Sequence, residues 1–205
     1  MSITYIGHFK SYSMAYNLKD VFFLGFEHEY AASTYSAGVE GNIPIDVSAY
    51  VDPIAKGRQR GQGLAVYKVQ ASIGGDAAGG VLNSGDAGSG TFGLTVKPYT
   101  TSGDNSGAIG VGDLQPSSDL LIWGSHFTAP GTLVPGQGGT SNFMPFCEPS
   151  EDVPYVCVRD TIFLINEIET ALSANDDWYV GVRMECAMIT LDTATLNQLL
   201  RTQTA

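Results

Sequence analysis

Charged residues, and basic residues above all, are scarce in this sequence. The 205 residues include ten lysines and arginines against 21 aspartates and glutamates, which gives a net charge of −11 at pH 7. An acidic surface repels phosphate, so this balance argues against direct nucleic-acid binding. Residues 1–5 carry no charge, so no arginine-rich arm opens the chain. With so few charges, much of the surface must be neutral or covered by neighbours.

Long apolar runs and a paired set of cysteines are also missing. No stretch reaches the roughly 18 consecutive apolar residues that a membrane-spanning helix needs. The N-terminus lacks the basic segment and apolar core of a secretory signal, so we expect synthesis in a cytoplasm. Three cysteines do not make a disulfide framework. Cys147 and Cys157 could bridge, but buried free thiols are the favoured interpretation.

Catalytic motifs are missing as well. Glu27-His28-Glu29 places a histidine between two carboxylates, but on a strand the glutamates point to the face opposite His28. His126 follows Gly124-Ser125 without the spacing of a nucleophile elbow. No paired His or Cys spacing typical of a zinc site occurs. We therefore predict no catalytic residue and a protein that is not an enzyme.

The glycine-rich stretches do not predict a cofactor or a metal. None contains the Gly-Lys-Ser or Gly-Lys-Thr of a phosphate-binding loop, and none has the dinucleotide-binding spacing. Asp104, Asn105 and Asp113 could offer oxygens to calcium, but their spacing is not that of an EF-hand. A solvated loop is the simpler interpretation, so we predict neither cofactor nor metal.

What the sequence does contain is a series of short β-strand patterns. Between residues 42 and 52, Ile43, Ile45 and Val47 alternate with polar residues, which is typical of a half-buried strand. Pro44 cannot donate a ladder hydrogen bond, so this strand should lie at a sheet edge. The same reasoning predicts strands at 19–27 (a central one), 42–52, 63–73, 91–97, 119–126, 155–165 and 178–191.

Two short segments have helical patterns. One covers residues 166–173. The other follows Asp192 or Thr193, either of which can act as N-cap, and it places Leu196, Leu199 and Leu200 on one face. We expect this C-terminal helix to dock on the body of the protein.

Strands separated by loops, without strand–helix alternation, exclude a parallel α/β sheet. The predicted fold class is all-β: an antiparallel β-sandwich or jelly roll of about eight strands, with long Gly-rich loops and a short C-terminal helix. We expect residues 1–205 to form one domain, with an extended N-terminal segment over 1–16 and long loops over 74–90, 102–118 and 129–154. Ordering such glycine-rich loops costs conformational entropy, which favours loops that are held by neighbouring subunits.

Two groups of residues are candidates for contacts between subunits. Lys56, Arg58 and Arg60 form the only basic cluster, which is either a solvated hairpin tip or a contact with an acidic neighbour. The proline-rich apolar segment around 132–155 supplies three further candidates, Phe143, Met144 and Phe146. It has too many prolines for a strand interior, so we expect it to pack across the domain or under another copy.

The strand pattern at 42–52, 63–73, 158–164 and 178–183 resembles that of single jelly-roll viral coat (capsid) proteins. That resemblance implies an eight-stranded, two-sheet domain whose loops and termini bind neighbouring copies in a shell. It also implies a virion protein with partners that are copies of itself and other virion proteins. The missing basic arm departs from many members of that family.

Three functions therefore remain open. The first is a structural virion protein, either the self-assembling coat subunit or a cement, decoration or tail-tube protein. The second is a carbohydrate-binding, lectin-like β-sandwich that uses Trp123, Trp178 and the tyrosines as sugar platforms. The third is an intracellular hydrolase or metalloprotein built around His28 or His126.

Overall fold

A computed structural model describes residues 21–31, 39–52, 60–75, 87–98, 116–130, 142–170 and 177–204. These residues form strands and one helix: β1 (Val21–Tyr30), β2 (Val39–Asp46), β3 (Arg60–Gly75), β4 (Ala87–Thr95), β5 (Leu121–Pro130), β6 (Asn142–Cys147), β7 (Tyr155–Cys157), β8 (Thr161–Thr170), β9 (Trp178–Asp192) and α1 (Thr193–Thr204).

The strands form two sheets in which all pairs are antiparallel. The four-stranded sheet has the order β1-β9-β3-β7, and the five-stranded sheet has the order β2-β8-β4-β5-β6. With β6 set aside as an added edge strand, and the others lettered B to I along the chain, these orders are B-I-D-G and C-H-E-F. This is the strand order of a jelly roll, so the predicted fold class is confirmed.

The core lies between the sheets and is built from alternate residues of each strand. Tyr30 on β1 stacks on Trp178 of β9 with ring centroids 4.0 Å apart. The Tyr30 hydroxyl donates to Oδ1 of Asn166 on β8, at 3.0 Å, which joins the two sheets through a buried hydrogen bond. Phe92 and Leu94 on β4, and Val96 just after it, are fully buried, as their alternation predicts.

The strand β1 differs from its prediction as a central strand. It lies at an edge of its sheet and pairs only with β9. Its apolar run is one-sided: Phe22 and Leu24 pack against the core, whereas Phe23 is 55% exposed. The sequence of β1 suggested burial on both faces because Phe23 lies between Phe22 and Leu24. In the structure, Phe23 faces outward and its ring lies under Arg183.

A β-bulge in β3 changes which of its residues face the core. The register with β9 shifts between Val66 and Lys68, so Tyr67 is the extra residue. After the bulge, Val69 and Ile73 face the core, whereas before it Leu64 and Val66 are the core residues.

Two predicted strand boundaries are wrong. The strand β2 ends at Asp46, because its Oδ1 accepts a hydrogen bond from the Ser48 amide at 2.8 Å and starts a turn. Residues 155–165 form not one strand but two, β7 and β8, which belong to opposite sheets. The predicted edge position of Pro44 is confirmed, since β2 is an edge strand.

The predicted helix at 166–173 is wrong as far as the described residues extend. The strand β8 continues through Thr170, and Asn166 and Ile168 extend the inward series that Ile162 and Leu164 begin. The inward alternation continues through the polar residue Asn166, because its Oδ1 accepts a hydrogen bond from the Tyr30 hydroxyl inside the core.

The C-terminal helix α1 docks on the four-stranded sheet, as predicted. Asp192 is its N-cap, with Oδ1 accepting from the Thr195 amide at 2.8 Å. Leu196 packs over Gly61, where a Cβ would lie 2.6 Å from the leucine Cδ2, so a larger residue there would displace the leucine side chain. No helix among the described residues is long and apolar enough to cross a membrane.

The side chain of Gln203 fixes the end of α1 to β7. It is 2% exposed. Its Oε1 accepts from the Val158 amide at 3.0 Å, and its Nε2 donates to the Val156 carbonyl at 2.7 Å. The carboxamide thus replaces a neighbouring strand at this edge.

We expect the substitution Gln203→Leu to lower the free energy of unfolding by about 2–4 kcal/mol, because it leaves a buried amide and a buried carbonyl without partners. Urea denaturation followed by circular dichroism measures the change. Gln198→Leu, at an exposed position of the same helix, is the matched control and should change stability by less than about 0.5 kcal/mol. Equal effects of the two substitutions would contradict this role for Gln203.

Candidate interaction surfaces

The structure separates the three apolar residues that were predicted to contact other subunits. Phe143 points into the sandwich, where its ring lies 5.8 Å from that of Phe127 and 6.2 Å from that of Phe92. Met144 and Phe146 lie on the opposite face of the same strand. Pro145 did not prevent a strand, because β6 is an edge strand whose proline needs no outer partner.

The basic cluster can be placed only in part. Arg60 begins β3, and its backbone is in register with Asp192. Lys56 and Arg58 lie outside the described residues, as do residues 1–16, most of the predicted loops 74–90 and 102–118, and residues 131–141 of the loop at 129–154. The predictions made for these residues therefore stay predictions.

Met144 and Phe146 belong to an apolar surface on the outside of the five-stranded sheet. We define this outer apolar patch by six residues. Leu121 and Ile165 are its buried floor, with Phe146 and Phe163 packed over them. Met144, which is 48% exposed, and the exposed Pro44 extend it toward the two edges of the sheet. The six residues are Pro44, Leu121, Met144, Phe146, Phe163 and Ile165.

Glycine makes the centre of the outer apolar patch flat. A Cβ on Gly124 would collide with Cζ and Cε2 of Phe146, so the phenyl ring rests directly on the backbone of β5. A Cβ on Gly93 would lie 3.3 Å from Cγ1 of Ile165. These two neighbouring positions, paired across β4 and β5, let large side chains lie against the sheet.

His126 forms the polar rim of this surface. Its imidazole packs on Phe146 with ring centroids 4.8 Å apart. Its Nδ1 lies 3.1 Å from the Thr91 hydroxyl, so the ring is held on both sides. This arrangement orients the imidazole at the edge of an apolar surface.

The outside of the four-stranded sheet is polar. The Arg183 guanidinium lies 3.7 Å above the exposed Phe23 ring, in a cation–π contact. A shallow depression of about 570 Å³ lies beside this pair, where Gly25 and Gly181 carry no side chains. Its polar lining residues include Glu27, Gln70 and Ser72. The depression is open to solvent and contains no nucleophile paired with a base.

Burial is the main cause of the pKa shifts of His28 and of the cysteines. Burial lowers the pKa of His28, and the neighbouring Glu29 carboxylate opposes this effect. As predicted, Glu27 and Glu29 face outward, opposite His28. Burial raises the pKa of Cys157 and of Cys186 to about 12, so these thiols are not nucleophilic. All three cysteines are free, and Cys147 is only half-buried.

The two tryptophans are not sugar platforms. Trp123 is 2% exposed and Trp178 is 4% exposed, and both belong to the core between the sheets. An indole that stacks on a sugar must present its face to solvent, so this part of the lectin hypothesis is wrong. Within the described residues, no group of three or more His, Cys, Asp or Glu side chains could hold a metal ion.

No family model and no curated protein matches the chain. Solved structures do match. VP1 of Trichodysplasia spinulosa-associated polyomavirus in complex with GM1 oligosaccharide is 7% identical, with 85% of this chain and 96% of that chain covered and a TM-score of 0.43. For VP1 of Merkel cell polyomavirus with disialyllactose, the values are 7%, 83%, 96% and 0.41. For apo New Jersey polyomavirus VP1, they are 7%, 84%, 100% and 0.37.

These structures are capsid proteins of viruses, the class that the strand pattern resembles. The jelly-roll assignment itself depends on the strand order of the two sheets, which the chain shows independently of any comparison.

Phe163, Ile165 and Gly124 lie on the outer face of the five-stranded sheet, and their sequence pattern did not predict this. In β8, apolar residues occupy both faces, because one face covers the core and the other carries the outer apolar patch. A run such as Thr161–Ile165 therefore has no polar side from which an outward face could be recognised. The glycine at 124 within an apolar strand was the available signal, since glycine there often marks a close approach.

We expect Gly124→Ala to destabilise the fold by about 1–3 kcal/mol, because the added methyl group collides with the Phe146 ring and displaces it from the sheet. Gly25→Ala is the control, since a Cβ there meets nothing within 4 Å. Urea denaturation measures both. A destabilisation by Gly25→Ala as large as that by Gly124→Ala would contradict the packing described for Phe146.

A second prediction concerns pH and His28. Because its pKa in the folded protein is below the unfolded value of about 6.5, the unfolded chain binds the proton more readily. Stability should therefore be retained above pH 6.5 and fall as the pH drops below it. The urea midpoint of the wild type, compared with that of His28→Gln between pH 8 and pH 5.5, isolates this contribution. Parallel pH curves for the two proteins would rule it out.

Proposed function

We propose that this chain is a structural virion protein: a self-assembling coat subunit, in one domain, whose partners are copies of itself and other virion proteins. The outer apolar patch is the observation that carries the proposal. Met144 and Pro44 are exposed at its two ends, and Phe146 and Phe163 are only partly covered between them. An apolar surface of this kind, with a polar rim, is typical of a protein–protein contact.

The lack of charge on the outer apolar patch favours another copy of the chain as its partner. Each copy carries a net charge of −11, so two copies repel one another at long range. The outer apolar patch contains no charged residue. Contacts through it bury apolar area, while the nearest carboxylates on the same face, those of Asp46 and Glu167, lie two residues beyond Pro44 and Ile165.

The jelly-roll scaffold hosts coat proteins, lectins and metal-binding enzymes alike, so the site and not the fold must decide among them. Burial of Trp123 and Trp178 removes the two indole platforms that the lectin hypothesis named. Among the described side chains, no metal-ligand set surrounds His28 or His126, and the hydroxyl beside the His126 ring is that of Thr91. An assembly protein is the function that the described surface supports best.

The proposal places the protein in the virion and gives the glycine-rich loops and the Lys56–Arg60 cluster the role of contacts with neighbouring subunits. The low lysine and arginine content supports a shell that does not itself bind the genome. A cement or tail-tube protein would share the outer apolar patch. Electron microscopy of the purified protein distinguishes them, because a coat subunit forms closed shells or their capsomers by itself.

We expect Met144→Glu to reduce assembly strongly, because the new carboxylate would be desolvated in the contact without a partner. The monomer should stay folded, since residue 144 is already 48% exposed. Size-exclusion chromatography with light scattering, together with negative-stain microscopy, measures the particle. Met188→Glu is the matched control, as Met188 is 50% exposed on the other sheet.

A wild-type protein that stays monomeric at every concentration and ionic strength would contradict the proposed function. Assembly that survives Met144→Glu but is lost in Met188→Glu would leave a coat function standing and place the contact elsewhere.

A further inference from the structure

Three of the four sheet edges carry a feature that blocks the addition of another strand. The edge strand β2 contains Pro44, and the edge strand β6 contains Pro145, each of which lacks a donor. The edge strand β7 is only three residues long and is closed by the buried carboxamide of Gln203. Beyond β7, β3 is protected by its bulge and by the exposed Lys68.

The fourth edge, β1, carries no such feature among the described residues. It is ten residues long and contains no proline. Its register with β9 is continuous from Val21 to Tyr30, without a bulge. No described side chain bonds to the backbone of Val21–Glu29. A long, regular and open edge is a template for pairing with another strand.

The inward side chains of β1 are also incompletely covered. Phe22, Leu24 and Phe26 point toward the core, yet each is only partly buried, whereas the inward residues of the adjacent β9 are buried. One more strand beside β1 would cover these three side chains and extend the same apolar inner face.

We propose that β1 pairs antiparallel with β1 of a second copy about a twofold axis, which joins two four-stranded sheets into one of eight strands. The partner follows by elimination, because β1 is the one unguarded edge that each copy offers among the described strands. Such an isologous contact is the commonest way in which identical chains associate. It deepens the proposed function by naming one contact of the assembling subunit.

Electrostatics selects the register. A twofold axis at Leu24 places Phe22 opposite Phe26 of the partner and Glu27 opposite its Val21. The carboxylates of the two copies then lie at opposite ends of the paired segment. An axis at Glu27 would instead place carboxylates directly across from one another, which is unfavourable.

The register gives a charge-swap experiment in the full-length chain. With Leu24 on the axis, Leu24→Lys brings two ammonium groups face to face, and Leu24→Glu brings two carboxylates together. Each variant alone should weaken the dimer by about a hundredfold or more. An equimolar mixture of the two should restore a dimer, because each lysine then meets a glutamate. Sedimentation equilibrium measures the dissociation constants.

Ile43→Lys is the matched control. Ile43 is also an inward, partly buried residue of an edge strand, but its edge is blocked by Pro44. It should leave the dissociation constant unchanged, and circular dichroism should show that all variants are folded. The proposal fails if the Lys and Glu variants dimerise like the wild type, or if their mixture is no tighter than either alone.

The outcomes also separate this contact from the proposed function. A dimer that Met144→Glu dissolves and Leu24→Lys leaves intact would overturn the edge contact while supporting assembly through the outer apolar patch. A wild type that is strictly monomeric would contradict both.

Discussion

The contact between Tyr30, Trp178 and Asn166 is the interaction on which the rest of this structure depends. Tyr30 is the last residue of β1, Trp178 is the first of β9, and Asn166 lies in the middle of β8 on the other sheet. The stacked rings fix β1 on β9, and the buried hydrogen bond fixes the distance between the sheets at that end. A polar partner is required because burying a tyrosine hydroxyl without a hydrogen bond would lower the free energy of unfolding.

With the sheets fixed, the two outer surfaces take on different characters. The four-stranded sheet presents Arg183 over Phe23 and a shallow depression, and α1 packs over Gly61 of β3. The five-stranded sheet presents the outer apolar patch, for which Gly124 and Gly93 make room. A domain that is apolar on one outer face and open at one strand edge has features suited to packing against copies of itself.

Much of the fold could be predicted because strand alternation is a local property. The inward series Phe92, Leu94 and Val96 follows directly from the pleat, and so does the opposite placement of His28 and its flanking glutamates. The errors arose where a long-range contact overrides the local pattern. The bulge at Tyr67 results from the pairing register with β9. Asn166 remains in a strand because Tyr30, on the other sheet, donates a hydrogen bond to it.

The sequence alone determined the β class, the docked C-terminal helix that begins after Asp192 or Thr193, the edge position of Pro44 and the absence of known catalytic spacings. Only the tertiary structure decided that Phe143 faces inward while Met144 and Phe146 face outward onto a shared surface with Phe163. It also decided that the tryptophans are core residues. The physical reason is that an apolar residue has the same signature whether it covers a core or a partner. Only the packing of the second sheet shows which of the two faces is already covered.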